Sequence, residues 1–438
     1  MNAMRDLRSF LDDLRKNKEL LSIRDPVSTK YEAAFLMKKH DAGPALLFER
    51  VRGYRNRLVS GMCGSRKRIS MALRVGEKEL SDLLLDSMKN LSNPGESDDG
   101  PVKEVQGSSR LDQIPILTHY EKDGGAYITS GIVSAKSLDG KVENVSIHRM
   151  MVVDRNHLAI RIVPRHLYRL CEITREQGSK SLDVGIAIGV HPAVMLAASS
   201  PLAFGVSEYK LASTLMGQDL KLTTCERVHA RVPCDAELVI EGKMLLDKEV
   251  SEGPLVDITG TYDIVRKQPL VKVVHIMHRK DYIYQALLPG GTEHQLLMGL
   301  PFESRIYEGV RAVVPSVKGV RLTPGGCSWL HAIISVEKQT EGDGKNALLA
   351  AFASHPSLKH AVVVDSDIDI DNPQEVEWAI ATRFQGDKDL IVIPNARGST
   401  LDPSSNQELA LTTKVGIDAT RSLLKPKEKF MKAAIPSA

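Results

Sequence analysis

Apolar residues recur at three- and four-residue intervals near the start of the chain, at Leu7, Phe10, Leu11 and Leu14, and this spacing predicts an amphipathic helix. "PALLFERV" reads as a strand, and "ISMALRVG" and "LSDLLLDSMKNL" read as helices. The stretch "LSNPGESDDGPVKEVQGSS" has the Pro, Gly, Ser and acid content of a linker or exposed loop. From "AYITSGIVSAKSLDGKVENVSIHRMMVVDRNHLAIRIV" onward the pattern becomes strands broken by D-G and R-N turns. A helix around residues 165–178, the strand "VGIAIGV" and the helix "SEYKLASTLMG" follow. "ARVPCDAELVIEG" and "PLVKVVHIMHRKDYIYQALL" return to strands, the second read as a hairpin turning at His278 to Asp281. This middle region predicts a β-barrel with inserted helices.

The last third alternates strands ("HAIISVEK", "HAVVVDSDID", "DLIVIP") with helices ("KNALLAAFAS", "PQEVEWAIATRF"), the second helix carrying Val376, Ile380 and Phe384 on one face. Alternation of this kind predicts an α/β layer. The fold class is therefore mixed α/β (α+β) and multidomain. Residues 1–110 form an N-terminal α/β domain, 111–312 the barrel, 313–400 a C-terminal α/β domain and 401–438 a polar C-terminal arm.

Composition narrows the function. The chain has 58 basic and 55 acidic residues, and aromatics make up 5%, so neither a concentrated basic face nor a base-stacking platform is expected. Nucleic acid is thus excluded as a partner, and no apolar stretch approaches the roughly 20 residues needed to span a bilayer. The five cysteines, an odd number without C-x-x-C spacing, argue against a disulfide framework or zinc site and fit a reducing cytoplasm. The charged N-terminus has no apolar signal core, so a cytoplasmic location is expected.

Several motifs fail on inspection. "DSDIDIDNPQEVEW" resembles a calcium loop, but an EF-hand starting at Asp365 wants Gly and Glu where Ile370 and Val376 stand. The "NVS" sequon at Asn144 has no secretory signal to bring it to the glycosylation machinery. No nucleotide-binding glycine fingerprint or G-x-S-x-G elbow is present.

What remains is polar chemistry in the middle region. "ENVSIHRM" offers Asn144, Ser146 and Arg149; Asn144 and Ser146 share a strand face, and Arg149 lies on the other unless the strand bends. "VPRHLYRL" offers His166, "FGVSEYKL" offers Glu208, and "SEGPLVDITGTYD" sets Glu252 and Asp257 around a Gly-Pro turn. Each has a structural explanation when taken singly. An Asn, a His and a Glu together make a hard-ion site for magnesium or manganese, especially beside a phosphate. An arginine beside two carboxylates is equally suited to gripping a substrate carboxylate and moving a proton.

The ordered blocks "NVSIHR", "SSPLAFGVSEYKLASTLMG", "VPCDAELVIEG", "SEGPLVDITGTY", "TPGGCSW", "EWAIATRF" and "KVGIDAT" resemble the UbiD family of decarboxylases, from about residue 5 to residue 422. The resemblance implies a split β-barrel that binds prenylated FMN, a flavin bearing an extra ring. It implies that Asn144, His166 and Glu208 hold a divalent metal, usually manganese, bridging to the flavin phosphate, with potassium as a further candidate ion. Ser146, Ile147, His148, Arg149, Arg165 and the Ser199-Ser200-Pro201 segment would line the cofactor, and Lys414 would approach its phosphate. Arg149, Glu252 and Asp257 resemble the catalytic Arg-Glu-Glu/Asp set. His148 departs from the pattern, since the family often carries an aromatic residue there.

The chemistry agrees with this. Loss of carbon dioxide from an sp² carbon leaves a carbanion with nowhere to delocalise, so the cofactor must supply the electron sink. Arg149 would bind the carboxylate, Glu252 would fix that arginine, and Asp257 would protonate the remaining carbon. A flavin prenyltransferase would supply the cofactor, and a homodimer or higher homo-oligomer is expected. Among family substrates, trans-anhydromevalonate 5-phosphate, an α,β-unsaturated acid giving isopentenyl phosphate in archaeal isoprenoid synthesis, suits a chain with few aromatics and a slight basic excess. The alternative is an aromatic acid of the 4-hydroxybenzoate type in quinone synthesis. A phosphate substrate needs a second basic group besides Arg149, for which Arg165 is a candidate.

Overall fold

A computed structural model describes residues 6–217, 219–433 and 435. The chain divides into two compact units, one ending at Leu297 and one beginning at Met298. In the first, the helix Leu7–Lys16 buries Leu7, Phe10, Leu11 and Leu14 against Ala45, Leu47, Val59 and Ile283, as its periodicity predicts. Its partner sheet is built from Leu20–Ile23, Ala45–Phe48, Arg57–Ser60 and Ile283–Gln285 in that order.

The centre of this unit is a closed barrel of six antiparallel strands: β1 (Tyr127–Lys136), β2 (Glu143–Asp154), β3 (His157–Ile160), β4 (Ser181–Ile188), β5 (Leu238–Glu252) and β6 (Arg266–His278). The spatial order β5-β4-β1-β2-β3-β6 closes through the pairing of β6 with β5, so none of the six is left as an open edge. Val133, Val184, Ile186, Ile240, Met244 and Val271 are among its fully buried side chains. Three helices are inserted: α1 (His166–Glu176), α2 (Pro192–Ala198) and α3 (Glu208–Leu215).

Two expectations are corrected here. The segment 269–288 is not a hairpin: after β6 the chain leaves the barrel, and Ile283–Gln285 pairs in parallel with Arg57–Val59 of the N-terminal sheet. The apolar run continues past the turn because it serves two sheets in succession. The stretch 91–109 is not a free linker either: Gly95–Glu96 pairs with Lys221–Leu222, and Val105–Ser108 pairs with β6.

The second unit carries a five-stranded sheet in the order Val317–Leu322, His331–Val336, His360–Asp365, Leu411–Ala419, Leu390–Arg397. Helix Pro373–Arg383 buries Val376 and Ala379 against it. The strand Leu411–Ala419 falls within the stretch expected to be an arm, yet it lies between two other strands of the sheet. Its alternation of Thr412, Lys414, Gly416 and Asp418 hides it, because these polar residues are buried rather than solvated. Among the described residues, no helix is long and apolar enough to cross a membrane.

Candidate active site

Strand β2 carries both candidate sets. Asn144, Ser146 and His148 alternate onto one face, joined by hydrogen bonds from Ser146 Oγ to Asn144 Oδ1 (3.0 Å) and between Ser146 Oγ and His148 Nε2 (2.9 Å). His148 Nδ1 lies 2.8 Å from the carbonyl of Arg161, and burial pushes its pKa down to about 4, so the ring is neutral near pH 7. Ile147 is partly buried on the same strand. At Arg149 the ladder is irregular: Thr129 and Ser130 of β1 together oppose this one residue, a bulge of the kind that re-aims a side chain.

The side chains of Asn144, His166 and Glu208 lie near one another. Glu208 opens α3 and His166 opens α1, so both stand in the first turn of a helix. Glu208 Oε2 accepts from the backbone N–H of Val145 at 2.6 Å, which fixes the carboxylate against β2. Its Oε1 lies 3.2 Å from Asn144 Nδ2 and 3.8 Å from His166 Nδ1. Once the Asn144 amide is turned to offer its Oδ1, with its Nδ2 then donating to Ser146 Oγ, one amide oxygen and one imidazole nitrogen meet at Glu208 Oε1. This donor set fits a hard divalent cation, and His166, about a third exposed, leaves the site an open side. Arg165 stands at the N-cap position of the helix that His166 begins, with extended backbone. Neighbouring Ser207 donates to Glu143 at 2.6 Å, and Arg231 grips Glu143 through Nε (3.1 Å) and Nη2 (2.7 Å), so the α3 entry is anchored.

Ser199, Ser200 and Pro201 follow directly after α2. Both hydroxyls donate to the Leu196 carbonyl, at 2.9 and 2.8 Å, and so close the helix end. Lys414 belongs to the second unit. There its Nζ donates to the carbonyls of Pro356 (2.8 Å) and Leu358 and lies 5.4 Å from the Phe352 ring centre, and burial lowers its pKa to about 8.

The acids of "SEGPLVDITGTYD" reach Arg149 together. Glu252 ends β5, and the chain then turns through Gly253, whose φ of 103° lies in the region that favours glycine, and Pro254. Leu255–Val256 pairs with Tyr262–Asp263, and the turn between them holds Asp257. Arg149 donates from Nε and Nη2 to the two oxygens of Glu252, both at 3.0 Å, and from Nη1 to Asp257 Oδ2 at 2.7 Å. Burial alone would lower the Arg149 pKa, but Glu252 and Asp257 outweigh it and hold the guanidinium charged.

The sequence reading missed four neighbours. Tyr127 of β1 donates its hydroxyl to Glu252 Oε1 at 3.1 Å, and burial together with that carboxylate raises the phenol pKa. Asp263 accepts from Arg149 Nη2 at 3.0 Å and from Arg266 Nη1 at 2.5 Å. Burial pushes its carboxyl up, yet the Arg266 hydrogen bond and the two arginine charges leave it lowered. Arg161 Nε is 3.8 Å from Asp263, and burial with the adjoining arginines lowers its pKa. The one available signal was Asp263 itself, an acid at a strand position where its partner Leu255 is apolar.

This arrangement can bind a carboxylate on a fixed guanidinium and hold a carboxyl beside it for proton transfer. Sequence comparison gives that chemistry a family. Residues 11–88, 95–292 and 295–419 match the N-terminal, Rift-related and C-terminal domains described for 3-octaprenyl-4-hydroxybenzoate carboxy-lyase. The chain belongs to the UbiD family, and it is a decarboxylase. It is similar in particular to the anhydromevalonate phosphate decarboxylase of Methanothermobacter thermautotrophicus, 44% identical over 428 residues that cover 98% of this chain and 99% of the relative. Among solved structures it resembles the UbiD-class enzyme HmfF from Pelotomaculum thermopropionicum in complex with FMN (TM-score 0.95, 40% identity, 98% and 97% of the two chains). An evolved dimeric form of that enzyme in complex with prFMN gives a TM-score of 0.92 at 38% identity over 99% and 97%.

Proposed function

We propose that this chain is a prenylated-FMN-dependent decarboxylase of an α,β-unsaturated acid, and that its substrate is trans-anhydromevalonate 5-phosphate, converted to isopentenyl phosphate. The observation that carries the reaction class is Arg149 held by Glu252 and Asp257. Support for the substrate is the similarity to anhydromevalonate phosphate decarboxylase over nearly the whole chain. Asn144, His166 and Glu208 would hold a manganese ion, whose charge would offset that of the flavin phosphate. Ser146, Ile147, His148 and the Ser199–Pro201 segment are the proposed flavin wall. The flavin, when bound, supplies the electron sink that an sp² carbon lacks.

The protein's own residues do the rest. Arg149 receives the substrate carboxylate in a charge-assisted pair and fixes the leaving group. Glu252, 0% exposed and bonded to both Arg149 and Tyr127, holds the guanidinium in one orientation. Asp257, at the turn and 15% exposed, takes up a proton from solvent and relays it to the carbon that loses carbon dioxide. Arg161 and Arg165 are the proposed partners of the substrate phosphate. A flavin prenyltransferase is the proposed source of the cofactor, and a cytoplasmic homo-oligomer the proposed form. Flavin-loaded protein should release carbon dioxide and isopentenyl phosphate from anhydromevalonate phosphate, read by mass spectrometry. Turnover of 4-hydroxybenzoate instead would overturn the substrate assignment.

A further inference from the structure

Strand β2 sets Asn144, Ser146 and His148 in a row, and the hydrogens along that row can be assigned one by one. The row ends on the carbonyl of Arg161, 2.8 Å from His148 Nδ1, and a carbonyl only accepts. Burial, with the charges of Arg161 and Arg165, keeps the ring neutral. A neutral imidazole has one N–H, so that hydrogen belongs on Nδ1 and leaves Nε2 as an acceptor. Ser146 Oγ, 2.9 Å from Nε2, then gives its single hydrogen to the ring. Ser146 can now only accept from the Asn144 amide, 3.0 Å away, so Asn144 turns Nδ2 toward it and Oδ1 toward Glu208 Oε1, across 3.2 Å. The reverse setting fails at the far end of the row. With Nδ2 on Glu208, the Ser146 hydrogen goes to Asn144, the ring proton moves to Nε2, and a bare Nδ1 faces the Arg161 carbonyl. The favoured setting leaves two acceptor oxygens 3.2 Å apart, which repel unless a cation lies against both. Oxygens that share an octahedral cation at about 2.1 Å stand about 3 Å apart.

We propose that His148 is a positioning residue for the ion site: with Nδ1–H tied to the Arg161 carbonyl, its Nε2 draws the Ser146 hydroxyl, and Ser146 in turn holds the Asn144 amide with Oδ1 toward the cation. The inference rests on the reading of Asn144, His166 and Glu208 as cation ligands. His148 acts through Ser146, its neighbour on the same strand face. Without the imidazole, Ser146 is free to turn its hydrogen to Asn144 Oδ1. The amide then presents Nδ2 to Glu208, whose carboxylate is fixed by the Val145 N–H, and a cation must turn the amide before it can bind.

The test uses flavin-loaded full-length protein carrying manganese. Metal affinity is read by competition with a chelator, free manganese being counted by electron paramagnetic resonance, with flavin content and melting temperature measured alongside. His148→Phe keeps an aromatic ring without an acceptor and should weaken manganese binding about tenfold. Ser146→Ala removes the relay and should cost the same, whereas Ser146→Thr keeps a hydroxyl and should bind like the parent. In the Ser146→Ala background, His148→Phe should cost nothing further, because both act on one amide. Nitrogen-15 spectra, with the His148 signal identified by its loss in His148→Phe, should show the ring proton on Nδ1. A proton on Nε2, manganese binding within twofold of the parent in His148→Phe, or losses that multiply in the double variant would each overturn the proposal. If His148→Phe fails to fold, Ser146→Ala and Ser146→Thr decide, and equal affinities in those two overturn it. A parent protein that holds no manganese refutes the ion site itself; a parent and variants that bind it equally well leave the site standing and remove only the role of His148.

Discussion

Replacing Asp257 by Asn changes one atom in the proposed proton donor and almost nothing else. The amide oxygen can still accept from Arg149 Nη1, at the loss of the Ile258 N–H bond, and the turn bond from Asp257 N–H to the Thr261 carbonyl, 3.0 Å, is a backbone contact that survives. Arg149 keeps both oxygens of Glu252 and one of Asp263, so its charge stays compensated. The stability cost is therefore that of weakening one charge-assisted bond at a part-exposed site, about 1 kcal/mol. Catalysis should suffer far more, because an amide cannot give up a proton as a carboxyl does. Losing a positioned general acid costs about 10²–10⁴-fold, or roughly 3–5 kcal/mol in the barrier. The assay is carbon dioxide release by flavin-loaded protein in deuterium oxide, with deuterium in the product measured in parallel. The variant should fold, retain flavin and lose both signals together. Turnover within threefold of the parent enzyme would show that another group supplies the proton.

The sequence disclosed which candidate residues lie together better than it disclosed the connections around them. Asn144 and Ser146 were legible as neighbours because a strand's two-residue period places them on one face, and the structure adds His148 to that face, hydrogen-bonded in series. Glu252 and Asp257 were legible as a pair because a Gly-Pro turn brackets them. Tyr127 was not: its partner Glu252 is 125 positions away, and nothing local marks a strand tyrosine as a donor to a buried carboxylate. Asp263 stayed hidden for a related reason, since its arginine partners only assemble once the barrel closes. The hairpin expected at His278–Asp281 failed because local turn chemistry cannot tell a strand that returns to its neighbour from one that joins another sheet. Leu411–Ala419 failed because its buried polar residues, Lys414 among them, look solvated in a sequence.

Glu208→Gln should lower divalent metal content and flavin retention together in purified protein, since Oε1 is the oxygen that Asn144 and His166 approach; full occupancy of both would refute the ion site. Tyr127→Phe should reduce kcat/KM about two- to tenfold and stability by about 1 kcal/mol, because Glu252 loses one of its donors but keeps Arg149; an unchanged kcat/KM would show that the phenol does not help orient Glu252. The pH dependence of stability follows from two buried imidazoles outside the site. His119 and His191 are 5% and 3% exposed, and burial lowers their pKa values to about 3 and about 4. Both folded values lie below the ordinary 6.5, so below that pH the unfolded chain takes up protons that the native one refuses. Their contribution to stability is therefore full above pH 6.5 and is lost as the pH falls toward 4. At pH 5, a unit and a half below 6.5, each imidazole costs about 2 kcal/mol. Among the described residues, neither ring nitrogen of His119 has a hydrogen-bond partner, so His119→Leu removes the titration without stranding a donor. Denaturant unfolding of parent and variant should then differ by about 2 kcal/mol more at pH 5 than at pH 7.5, in favour of the variant. Carboxylate titration acts on both proteins alike and cancels in that difference. An equal gap at the two pH values would mean that His119 is protonated in the native state.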